Sequence, residues 1–140
     1  MRPWVTLVAL LLTSCGSIQQ VVKPVVSSGS APQEICVIDN PKVRESFLAA
    51  YRQTLVERGF AVRTLPAGSS VATCPLTSTY TANWRWDLAL YLAYANLKVF
   101  QSGQLGGEAL YDSLGAGAST SKFINTEEKI RELTSQLFPR

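Results

Sequence analysis

Ten carboxylates and no histidine bound the chemistry open to this 140-residue chain. Without histidine it lacks the commonest general acid/base at neutral pH, the commonest neutral metal ligand and every His-dependent triad. Asp39, Glu45, Asp87, Glu108 and Asp112 are dispersed, and no spacing sets two of them as the facing pair a glycosidase needs. The glycine-rich stretches "GQLGG" and "GAGAS" have neither the spacing of a phosphate-binding loop nor its Lys-Ser/Thr ending, so they read as a turn and a connection. These residue types imply no cofactor and no metal. The basic residues are scattered, and the formal charge is only +3, so nothing tracks a phosphate backbone and no nucleic-acid partner is expected.

Sulfur is left, in three cysteines. Cys15 stands directly behind a short apolar run, Trp4 to Leu12, which follows the basic start Met1-Arg2-Pro3. That is a secretory layout, and the run is about half the ~20 residues that span a bilayer core. Leu12-Thr13-Ser14-Cys15 resembles the bacterial lipobox, an aliphatic residue and two small residues before the cysteine. The resemblance implies cleavage after Ser14 and lipidation of Cys15. Two or three acyl chains would make a lasting membrane anchor where one is only marginal. Gly16 lies where an inner-membrane retention signal would place aspartate, which favours the inner leaflet of the outer membrane, facing the periplasm.

Export puts Cys36 and Cys74 in an oxidising compartment, where a leftover pair reads as a disulfide. The alternative, a redox couple, lacks a C-x-x-C spacing to activate either thiol. "WRWD" offers a different kind of chemistry, because Trp and Arg dominate binding hot spots. Trp84 and Trp86, however, share the parity of Leu76 and Tyr80, which assigns them to the core. Thr81, Arg85 and Asp87 fall on the opposite face and are the candidates for partner contact, against the plainer reading that strand charges are simply solvated.

The elements that must position these residues follow from periodicity. Residues 1–14 read as the signal and 15–33 as a lipidated tether rich in Ser, Gly, Pro and Gln, with a flexible reach of roughly 20 to 25 Å. Residues 34–140 read as one domain. "EICVI" is a strand covered on both faces; Asn40 and Pro41 predict a helix start, Gly59 its end, and Val43, Phe47, Ala50, Tyr51 and Leu55 its buried face. "FAVRTL" closes a parallel β-α-β unit. From Leu76 the period is two, and Leu76, Ser78, Tyr80, Ala82, Trp84 and Trp86 form the inward face. "LALYLAYANLKVF" and "QLGGEALYD" form the next hairpin, with a three-residue loop Gln101-Ser102-Gly103 that would set Val99 opposite Leu105 and Leu97 opposite Gly107. Asn125 with Glu128 resembles a capping box, and Ile130, Leu133, Leu137 and Phe138 make the stripe of a last helix. The expected class is α+β: a mixed five-stranded sheet in chain order β-α-β-β-β-β-α, with both helices on one face.

"CVIDNPKVR", "YTANWRWDLALYLAYANLKVF", the "SGQ" turn and "SKF" together resemble an uncharacterised family of small proteobacterial lipoproteins, the Sbal-type lipoproteins. The match runs from Cys36 to about Phe123, with Trp84 as a departure. The resemblance implies an envelope location and this fold, and brings no established activity. Two function classes follow. One is a non-enzymatic binding or accessory lipoprotein, joined to the membrane through Cys15 and contacting an envelope protein or glycan, with a periplasmic inhibitor or immunity factor as a special case. The other is a hydrolase that works with carboxylates alone.

Overall fold

In the computed structural model, which describes residues 17–26 and 33–139, the expected strands and helices combine into one mixed sheet with two helices on one face. The strands are β1 (Gln19–Lys23), β2 (Glu34–Ile38), β3 (Ala61–Leu65), β4 (Leu76–Asp87), β5 (Ala89–Gln101) and β6 (Gln104–Asp112). The helices are α1 (Glu45–Glu57) and α2 (Thr126–Leu137). Strand order is β1-β6-β5-β4-β2-β3. β2 runs parallel to both β3 and β4, as the β-α-β reading required, and the other pairs are antiparallel.

β2 is buried on both faces because two separate cores use it. Ile35 and Val37 join Phe47, Tyr51 and Leu55 of α1 and Ile130, Leu133 and Leu137 of α2 in the main core. Cys36 and Ile38 point the other way and meet Leu65, Cys74 and Val71 in a small second cluster. The Cys36–Cys74 disulfide is present and closes that cluster. Arg63 donates to Cys74 Sγ at 3.0 Å and to Cys36 Sγ at 3.5 Å, and pairs with Glu34 at 3.6 Å. The second cluster also explains Thr77, expected on the wet face but fully buried, with its hydroxyl donating to the Cys74 carbonyl.

Four further expectations are corrected. The sheet has six strands rather than five, because Gln19–Lys23, inside the stretch 15–33 expected as a tether, pairs antiparallel with β6 from Gln19↔Asp112 to Lys23↔Glu108. The cause is a short alternation hidden in a polar composition. Ile18 and Val22 pack on the main core, Gln20 donates to Glu132 and Gln136 of α2 and accepts from Lys129, and the Val25 N–H donates to the Leu137 carbonyl.

α1 starts at Glu45, not at Asn40-Pro41. Asn40 instead holds β4: its backbone N–H donates to the Tyr80 hydroxyl, its amide donates to the Tyr80 carbonyl, and its Oδ1 accepts from the Lys42 N–H. The end was read correctly, since Gly59 takes the left-handed conformation that stops a helix.

The β5–β6 loop has two residues, Ser102 and Gly103, both at positive φ as a type I′ turn demands. A two-residue loop alone would mix the faces. The sheet avoids this with a bulge at Gly106, after which Val99 faces Gly107, Leu97 faces Ala109 and Ala95 faces Tyr111. Gly107 also lets β1's tail pass, since a Cβ there would stand 2.5 Å from a Val25 methyl.

The fourth correction concerns the tryptophans. Trp84 is half-buried, edge-on to Phe47 with ring centroids 6.1 Å apart, while Trp86 is 71 % exposed. The parity was right. The strand runs past the end of the helix layer, so among the described residues little covers the inward face at Trp86 and its partner Leu90.

α2 starts as predicted, with the Asn125 side chain accepting from the Glu128 N–H at 3.2 Å. Asn125→Ala should therefore lower stability by ~1 kcal/mol, read as a lower urea midpoint at unchanged slope.

Candidate functional site

The far end of the β4–β5 hairpin is where the residues singled out by sequence come together. A second bulge, at Ala93, lets both Leu92 and Ala93 be buried and restores pairing as Trp84↔Leu92, Arg85↔Tyr91 and Trp86↔Leu90. Asp87 pairs with Ala89, leaving Leu88 alone at the turn with φ 62° and 88 % of its surface exposed. That left-handed conformation costs a branched side chain of this kind free energy that glycine or asparagine would save.

The two faces of the tip differ in chemistry. On one lie Trp86, Leu88 and Leu90, all exposed. On the other lie Thr81, Arg85 and Asp87, the predicted contact residues, which share an exposed face as their parity required. The connection after β6 folds back alongside this second face. Its Lys122 is almost fully buried, forms a 2.5 Å ion pair with Asp87, and lies over the rings of Tyr91 and Phe123 at 5.1 and 5.3 Å. Sequence reading missed Lys122, and only its position three residues before an isolated "INTEE" helix start hinted at order there. Below the tip, Asn83, Trp84, Arg85, Trp86, Tyr94 and Leu114 line an open cleft of about 690 Å³. Arg44 covers the inner side, its guanidinium carbon 5.0 Å from the centre of the Trp84 ring.

As chemistry, this is an arrangement for contact. One carboxylate, Asp87, stands at the tip, already neutralised by Lys122. Elsewhere, burial pushes the Tyr51 hydroxyl far above its ordinary range despite its hydrogen bond to Ser78. Tyr80 is raised too, mainly by burial. Glu34 lies with Cys36 and Cys74 in a cluster of metal-ligand type, but both sulfurs are committed to the disulfide and offer no thiolate. Cys15, the predicted lipid site, lies outside the described residues.

Comparison with solved structures turns on this same sheet-and-two-helix layer. A PelC dodecamer from Paraburkholderia phytofirmans superposes with a TM-score of 0.61 over 89 % of this chain and 99 % of that one, at 14 % identity. The chain shares its fold with PelC. A single-residue variant of PelC, also a dodecamer, gives a TM-score of 0.57 at 17 % identity over the same shares. At such identities the likeness to PelC is one of fold. No family model matches the chain, and no curated protein is similar to it, so the finer resemblance to Sbal-type lipoproteins finds no support.

Proposed function

We propose that the protein is a non-catalytic scaffold of the bacterial envelope, exported, lipidated on Cys15 and held at the periplasmic face of the outer membrane, where it acts as an assembly of its own copies. The observation that carries this reading is the match to PelC, a dodecamer, across 99 % of the PelC chain and 89 % of this one. The lipobox-like Leu12-Thr13-Ser14-Cys15 supports the anchor. The sheet supports self-association, because β1 and β3 each pair on one side only among the described residues and leave two edges open to neighbours. Thr81 and Arg85, on an exposed face, and Asp87 beside them are proposed as contacts to an envelope protein or glycan.

Two measurements test it. Cys15→Ser should yield an unprocessed precursor that takes up no labelled fatty acid; normal maturation of that variant removes the anchor from the reading. Light scattering of the processed, detergent-solubilised protein should give a mass many times that of one chain. A single-chain mass at all concentrations overturns the scaffold.

A further inference from the structure

We propose that the β4–β5 hairpin tip is a second membrane anchor, with Trp86, Leu88 and Leu90 seated in the interface of the same leaflet that holds the lipid. This rests on the reading that Cys15 is lipidated. The argument is one of chain length. Because β1 is a strand of the sheet and not part of a loose tether, the chain is fixed to the domain from Ile18 onward. Gln19 lies in one row with Asp112 and Tyr94, at the end of the sheet from which the hairpin projects. The chain leaves this row toward the tip, with the Ser17 carbonyl so close to Gly115 that a Cβ there would meet it at 3.0 Å. The neighbouring Leu114 lines the same cleft as Trp84 and Trp86. From Gln19 to Cys15, four residues on, the backbone can span at most ~14 Å. Counted on β4, which carries no extra residue, the hairpin runs five residues from the same row to Leu88, about 17 Å along the strand.

A lipid on Cys15 therefore draws the base of the hairpin to the bilayer surface, and the tip projects further than the leash allows the domain to stand off. The tip suits that position. Its outer residues are a tryptophan and two leucines that are 71 %, 88 % and 49 % exposed, with Leu114 beside them at 48 %. Tryptophan favours the boundary between headgroups and acyl chains. The tip's one carboxylate is neutralised by Lys122, so the tip turns no unpaired negative charge toward anionic headgroups. Leu88 keeps its side chain at the outermost point in a left-handed conformation, a strain that a function for that side chain would account for.

The test uses processed protein carrying Trp84→Phe, in which Trp86 is the only tryptophan once Trp4 has left with the signal. It is reconstituted into vesicles of phosphatidylethanolamine and phosphatidylglycerol, with and without lipids brominated on the upper acyl chain. Labelled fatty acid on Cys15 and flotation with the vesicles are scored first; their absence refutes the underlying lipidation reading. With both present, brominated lipid should at least halve Trp86 emission, and adding Leu88→Asp should abolish most of that quenching while leaving flotation unchanged. Lipidated, floating protein whose Trp86 is unquenched overturns the proposal alone, as does quenching that Leu88→Asp leaves intact. A blue-shifted but unquenched Trp86 also overturns it and assigns the tip to a protein contact.

Discussion

Phe47→Ala should lower the unfolding free energy by ~3 to 5 kcal/mol, whereas Trp86→Ala should change it by less than about 0.5 kcal/mol. Phe47 is fully buried under the centre of the sheet, stacked on Tyr80 at 5.7 Å and edge-on to Trp84. Removing its ring leaves a cavity walled by β4 and α1, which cannot close because Asn40 pins Tyr80 through two hydrogen bonds. Trp86 lies on the same strand face two residues beyond Trp84, yet its ring is in water, so its loss removes little burial. Equilibrium urea unfolding of the two variants checks the contrast. If Trp86→Ala proves as destabilising as Phe47→Ala, the tip is part of the core and the membrane-contact argument fails with it.

The disulfide carries the second large effect. Cys36 and Cys74 are 38 residues apart, and closing a loop of that length is worth ~4 kcal/mol by restriction of the unfolded chain. A typical domain has only ~5 to 15 kcal/mol in total. The double substitution Cys36→Ala with Cys74→Ala should therefore bring the thermal midpoint down by well over ten degrees, and reduction of the wild type should do the same. Before reduction, neither sulfur should react with an alkylating reagent. Ready alkylation of both in the folded, exported protein would show the bond to be absent.

The fold was legible in the sequence wherever a residue's environment depended on its near neighbours. Phe47, Tyr51 and Leu55 announce one helix face, Asn125 and Glu128 cap another, and the period of two from Leu76 marks a long strand. What stayed hidden depended on distant partners. The short alternation in "IQQVVK" does not by itself distinguish an edge strand from a linker, because its hydrogen bonds go to β6 and its side-chain contacts to α2. The β5–β6 register was misread because one bulge at Gly106 shifts every later pair, and the Gly106-Gly107 pair does not declare which of its residues is unpaired, or that either is. Parity put Trp84 and Trp86 on the inward face correctly. Parity cannot say where the helices stop, so it could not tell that the site begins where the core ends.

β1 and β6 are neighbours in the sheet but about ninety residues apart in the chain, and this separation fixes an order of events. Long-range strand pairs form late, because the loop must close before the pairing rewards it. β1 cannot dock until β6, the last of the six strands, has formed and paired with β5. On the reading that the chain is exported and lipidated on Cys15, the segment after that cysteine stays undocked while the rest of the domain is still arriving, which leaves the cysteine accessible to the modifying enzymes. On the same reading, docking of β1 then shortens the leash, so that one strand would first give the anchor site room to be processed and later draw the domain against the bilayer.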